Sequence, residues 1–162
     1  MSDSYFEVQA LDLLPQRLNA SCWYASARML LNWKDNKIHQ RSALIPPELD
    51  KASQSIRDGN KGILNPQIIP MAKRLGLTSV PAMSVSSHQI GAWLRQYGPL
   101  WVNGAAHIVV IGGIRGTMVK VYDPWPVNVG KVNWRSLETW YEGSARSSRD
   151  IGAGVQTVFL HC

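Results

Sequence analysis

The hydrophobic and polar positions of this 162-residue chain change period near its middle. In the first half, apolar residues recur every three or four positions. Cys22, Ala25, Met29 and Trp33 form one such stripe, while Trp23, Ala27, Leu30 and Leu31 fill other directions. The spacing predicts a helix over Cys22–Trp33, buried on more than one face and capped by Ser21. Ahead of it, residues 4 to 11 read as an extended lead-in, and Pro15 keeps Leu14 out of helical geometry. A second helix is predicted after Pro46-Pro47, with Leu49, Ala52 and Ile56 on one side and Asp58, Gly59 and Asn60 at its end. A third runs from Pro66 or Pro70 to Leu75, stopped by Gly76. Leu77 to Met83 is short and β-like. Ser86 or Ser87 caps a fourth helix that continues through Tyr97 to a stop at Gly98.

From residue 100 onward the pattern is β-branched, apolar and punctuated by glycine. Leu100–Val102, His107–Ile114, Met118–Tyr122 and Val155–Leu160 are predicted as strands, with one more short helix over Trp134–Tyr141. Helices first and strands second predict an α+β fold with an antiparallel sheet. The length fits one domain spanning 1–162, large enough to bury a core.

Composition narrows the class. Charged residues make up 17% of the chain and hydrophobic ones 45%, which describes a globular protein. The net charge is +6, yet the bases are scattered (Arg17, Arg28, Lys34, Lys37, Arg41, Lys51, Arg57) with no basic run and no nucleic-acid motif, so no nucleic-acid partner is expected. No stretch approaches the roughly 18 apolar residues of a membrane span, so no membrane partner is expected either. The N-terminus has neither the basic region nor the apolar core of a signal peptide. The two cysteines, Cys22 and Cys162, are expected to be free thiols at a reducing site of action. His39, His88, His107 and His161 show no ligand-like spacing with them, and neither metal nor cofactor is expected.

Four residues carry candidate chemistry. A reactive cysteine needs a base, a group to orient the base, and donors for the oxyanion that forms. Cys22 lies at a predicted helix start, where unpaired backbone N–H groups and the helix dipole favour a thiolate. His107 opens one predicted strand and Asp123 closes the next. Within a tight turn at Arg115-Gly116-Thr117, a two-residue loop at Arg115-Gly116 would pair His107 with Pro124 and a three-residue loop centred on Arg115 would pair it with Asp123, so the hairpin itself brings base and orienter together. Gln16, six residues before Cys22, has a side-chain amide that can donate to an oxyanion beside the Cys22 N–H. Taken singly, Cys22 also reads as a small core residue, His107 as a strand-end histidine, Asp123 as a turn residue and Gln16 as a solvated loop residue. Trp23 is expected to line either the cleft or the core. Trp125, two residues after Asp123, is expected to shield the His–Asp pair from water or simply to pack.

Gln16-x5-Cys22-Trp23 ahead of a buried helix resembles the papain-like cysteine peptidases. The stretches GPLWV (98–102), HIVVIGGI (107–114) and VYDPWP (121–126) are similar to bacterial papain-like effector peptidases, the group of the secreted plant-pathogen avirulence proteases. The resemblance runs from about Gln16 to Trp140. It implies a papain-like fold, N-terminal helices with a nucleophile-bearing central helix packed on a C-terminal sheet, and peptide or isopeptide hydrolysis through Cys22, His107 and Asp123 with Gln16 as oxyanion donor. It also implies a protein or peptide substrate, an immunity or inhibitor partner, and export by a leaderless route to the reducing cytoplasm of a target cell. Asp123 stands where plant and lysosomal papains carry asparagine. Bacteriocin leader peptidases show a similar order of Gln, Cys, His and Asp, but usually place Gly after the nucleophile, where this chain has Trp23. A catalytically inactive papain-like binding module is a further alternative. The Asp-Cys-Ser/Gly-Gly signature of peptidoglycan amide hydrolases is absent.

Overall fold

The computed structural model describes residues 5–38, 44–80, 86–104, 107–137 and 158–162. Among the described residues, four α-helices and a seven-stranded sheet make an α+β fold, and every strand pairing is antiparallel.

Helix α1 (Cys22–Ile38) is longer than its apolar stripe predicted. Trp23, Ala27, Met29 and Leu30 are fully buried, so the helix is enclosed rather than laid on a surface. It packs on strands β3 (Leu100–Gly104) and β4 (His107–Arg115). Two polar links fix that packing: the Trp101 indole N–H donates to Trp23 O at 3.1 Å, and Ser26 Oγ donates to Ile108 O at 3.4 Å. Inside a core a satisfied polar pair fixes register as well as depth.

Helix α2 (Lys51–Asp58) departs from the predicted apolar face. Leu49 is 74% exposed, whereas Ser53 is fully buried. The reason is a polar anchor. Asp50 caps the helix by accepting from Ser53 N (3.2 Å) and Ser53 Oγ (2.5 Å), and the Arg74 Nε donates to the same carboxylate at 3.0 Å. Arg74 lies on α3 (Asn65–Leu75), which ends at Gly76 with φ +86°, a left-handed stop. Helix α4 (Ser87–Tyr97) is capped by Ser86, whose Oγ accepts from Gln89 N at 3.1 Å. Gly98 follows at φ +92°, and a Cβ there would sit 2.3 Å from the Trp33 ring of α1.

The sheet order is β2-β7-β3-β4-β5-β6, with β1 pairing on β4. Strands β1 (Tyr5–Glu7) and β2 (Thr78–Ser79) fall within the predicted extended lead-in and the β-like Leu77–Met83, of which 81–83 lie outside the described residues, and both join the sheet of the second half. Strand β7 (Phe159–His161) lies later than predicted, and 155–157 fall outside the described residues. The predicted helix over Trp134–Tyr141 is corrected in its first three residues: Lys131–Ser136 is strand β6, Leu137 is helical, and 138–141 fall outside the described residues. The edge of β5 (Met118–Asp123) decides this segment. Val132 and Trp134 alternate with Lys131, Asn133 and Arg135, and each pairs across the ladder with β5.

The β4–β5 turn is also one residue later than predicted. Arg115 pairs with Met118, which leaves Gly116-Thr117 as the turn, with Gly116 at φ +59°. A bulge near Gly112 then shifts the register by one. A Cβ at Gly112 would come within 2.6 Å of both Leu11 and Tyr122, so this close approach needs glycine.

Candidate active site

His107 and Asp123, the candidate base and orienter, meet on the diagonal of a ladder. Val110 pairs with Tyr122, and continuing that register sets Asp123 opposite Val109, two positions from His107 and on the same face. Diagonal neighbours are within reach of long side chains. The expected direct opposition of His107 with Asp123 or Pro124 is therefore replaced by a diagonal one, because both the turn and the bulge displace the register. The contact it was expected to produce forms: His107 Nε2 and Asp123 Oδ1 are 2.6 Å apart.

Asp123 is 4% exposed, and both of its oxygens are used. Oδ1 also accepts from the backbone N–H of Trp125 at 2.9 Å, and Oδ2 accepts from the Arg135 guanidinium at 2.8 Å. Burial pushes a carboxyl up, but the bonds from His107, Arg135 and Trp125 N–H outweigh it and hold Asp123 at about 2. For His107, burial opposes the charged form. The Asp123 bond and a hydrogen bond with Cys22 outweigh it and raise the imidazole to about 9. With Nε2 engaged by Asp123, Nδ1 is the nitrogen left for the Cys22 thiol.

Cys22 is the first residue of α1 and is largely buried. The predicted cap takes an unexpected form. Ser21 Oγ turns back, donating to Leu18 O and accepting from Leu18 N, both at 3.1 Å. No hydrogen bond is formed by the Cys22 backbone N–H among the described residues. Thus an N–H and the positive end of the helix dipole are left beside the sulfur.

Gln16 is 1% exposed, which removes the reading as a solvated loop residue. Its Nε2 donates to Leu18 O (2.8 Å) and Asn19 O (3.0 Å), while Oε1 is buried with no partner among the described residues. Both amide hydrogens are thus used in this structure to hold the loop before Cys22. The Gln16 backbone joins that loop to the segment after Asp123: its N–H donates to Pro124 O at 2.9 Å, and its carbonyl accepts from Asn128 N at 2.8 Å. Asn60 Oδ1 accepts from Ala20 N at 3.1 Å and steadies the other side.

The two tryptophans separate. Trp23 is fully buried, its indole donating to Lys61 O at 3.2 Å, so it belongs to the core and not to a cleft. Trp125 is 43% exposed, and it is its backbone N–H that bonds Asp123. Arg135 is the site residue that sequence reading misses. It falls in a segment read as helix, and only the period-two Asn133-x-Arg135 pattern of β6 could have placed it on the face of Asp123.

The remaining thiol, Cys162, is a separate matter: it donates to Leu30 O at 3.4 Å, and burial pushes it up to about 12.

Comparison with known proteins bears on this arrangement. A family model described as papain-like cysteine protease AvrRpt2 matches residues 3–143. No curated protein and no solved structure matches the chain.

Proposed function

The chain belongs to the papain-like cysteine protease family of the AvrRpt2 type, and on that premise we propose that it hydrolyses peptide or isopeptide bonds through Cys22, His107 and Asp123. The observation that carries the reading is the part-buried contact of His107 Nε2 with Asp123 at 2.6 Å, with Cys22 near enough to the same imidazole to favour its charged form.

A positively charged imidazolium beside the sulfur stabilises a thiolate. The thiolate attacks the scissile carbonyl carbon, a C–S bond forms, and the carbonyl oxygen becomes an oxyanion. The Cys22 N–H, which makes no hydrogen bond among the described residues, is one donor to it in this reading. His107 then gives the Nδ1 proton to the leaving amine, the C–N bond breaks, and a thioester remains. In the second half His107 takes a proton from water, the hydroxide adds to the thioester, and the thiolate leaves with release of the acid. Asp123 holds the ring in orientation throughout. A groove beside the helix start, lined by Gln16, Arg17, Ser21, Tyr24, Ala25 and Arg28, offers room for the flanking peptide.

Gln16 is the second oxyanion donor in this reading, trading one of its two loop carbonyls for the oxyanion. Its buried Oε1, which has no partner among the described residues, supports this, since reorienting the amide breaks no bond to that oxygen there. Gln16→Ala is expected to lower kcat by roughly 10² with KM little changed. A role confined to holding the loop would instead lower Tm and leave kcat intact.

The reading also assigns the protein to the exported effectors. It would act on target-cell proteins in a reducing compartment and be matched by an inhibitor or immunity protein. Both thiols being free supports a reducing site of action.

Cleavage of unfolded casein and of a quenched peptide library by the wild-type protein tests the proposal, with Cys22→Ala as the control. Equal cleavage by both proteins would overturn it. The pH dependence adds a second check. His107 carries its proton below about 9, so the imidazolium half of the ion pair is present at neutral pH. kcat/KM is expected to fall as pH rises through about 9. Asp123 stays ionised down to about 2 and so does not set the acid limb. A basic limb near 6.5, the ordinary imidazole value, would contradict the assigned environment of His107.

A further inference from the structure

We propose that Arg135 is a positioning residue of the active site, whose guanidinium fixes the outer oxygen of Asp123 and sets how tightly the imidazole of His107 holds its proton. The inference rests on the peptidase reading and extends it.

The geometry is a continuous row. Asn133 Oδ1 accepts from Arg135 Nε at 2.8 Å, the Arg135 guanidinium donates to Asp123 Oδ2 at 2.8 Å, and Asp123 Oδ1 meets His107 Nε2 at 2.6 Å. Lys131, Asn133 and Arg135 occupy alternate positions of β6, and the strand partners of these three on β5 are Asp123, Val121 and Val119. Arg135 therefore runs along its strand to reach Asp123 past Asn133. Its side chain is 22% exposed against 5% for Asp123, so the bond lies largely out of solvent.

Charge explains why the guanidinium matters. In the active ion-pair state the row reads thiolate, imidazolium, carboxylate, guanidinium: alternating in sign and neutral in sum. The groups facing His107 and Asp123 are Cys22 from α1, Arg135 from β6 and the exposed Lys131 across the ladder from Asp123. Without Arg135 the Cys22, His107 and Asp123 row carries a net negative charge. A buried carboxylate with one cation lost acts more strongly on the remaining cation, so the imidazolium proton is held more tightly. A proton held too tightly is a poor one to give to a leaving amine. Arg135 thus moderates the carboxylate, bringing Asp123 closer in effect to a neutral amide. It also leaves only one oxygen free to face the ring.

The test reads His107 directly. Arg135→Met, in full-length protein, is expected to move the imidazole titration of His107, followed by NMR, upward by roughly one pH unit. The basic limb of kcat/KM should move with it, and kcat at neutral pH should fall roughly tenfold as the acid weakens. Arg135→Lys keeps the charge and loses the Nε bond to Asn133. It should hold the titration near the wild-type position while kcat falls. An unmoved His107 titration in Arg135→Met, with the wild-type protein active, overturns the proposal and leaves the peptidase reading standing. If the wild-type protein cleaves nothing while the titration moves as expected, the peptidase reading fails and the positioning role survives. Should Arg135→Met not fold, the wild-type guanidinium is read instead. Slow Nη proton exchange that becomes fast in Asp123→Asn supports the clamp, and fast exchange in the wild type overturns it.

Discussion

Cys22→Ala is expected to abolish peptide cleavage, with a loss of roughly 10⁵-fold or more, while leaving the fold intact. The chemistry needs the sulfur because no other side chain at the start of α1 can form the acyl bond: Ser21 Oγ is bound at 3.1 Å to Leu18 on both its donor and acceptor sides. The fold does not need it. Removing one sulfur at the edge of a core that already encloses Trp23, Met29 and Leu30 costs on the order of 1 kcal/mol. Alkylation offers a check independent of substrate. Iodoacetamide should label Cys22 well before Cys162, because burial pushes the Cys162 thiol to about 12 and its hydrogen is directed at Leu30 O. Equal labelling, measured by mass spectrometry of the digested protein, would contradict the assignment, and so would retained cleavage in Cys22→Ala.

His107→Ala should cost nearly as much, roughly 10⁴-fold or more, because it removes both the partner of the thiolate and the donor to the leaving amine. Asp123→Ala should cost less by itself. The double variant should be little worse than His107→Ala alone, since a carboxylate that acts through an imidazole has nothing left to act on. Additive losses in kcat/KM would mean that Asp123 contributes by another path. Asp123→Ala also leaves the Arg135 guanidinium without its carboxylate, so the variant is expected to lower Tm as well. Asp123→Asn keeps the shape and separates the two effects: it should lose less stability than Asp123→Ala.

Much of this site was legible because it depends on local rules. The position of Cys22 at a helix start follows from the onset of the 3.6-residue period, and the meeting of His107 with Asp123 follows from two strands joined by a short turn. The details that failed are those that depend on distant groups. Arg115 stays in its strand with its guanidinium 4.4 Å from the Trp134 ring, and the bulge near Gly112 forms where Leu11 and Tyr122 close in. Neither partner is adjacent in sequence, so the register could not be counted from the turn alone. Ser53 is buried because Asp50, itself held by Arg74, accepts from it, although its own helix pattern favoured Leu49.

By itself, the sequence determined the element types, the antiparallel sheet, the helix bearing Cys22 and the hairpin bearing His107 and Asp123. Each of these is set by the period of apolar residues and by where glycine and proline interrupt it. Only the tertiary structure decided that Lys131–Ser136 is a strand, that Gln16 is buried with its amide on Leu18 and Asn19, that Trp23 belongs to the core, and that Arg135 grips Asp123. The physical reason is common to all four. A short polar or mixed segment has no strong period of its own, and its conformation is fixed by the strand edge, carbonyl or buried charge that it meets across the fold.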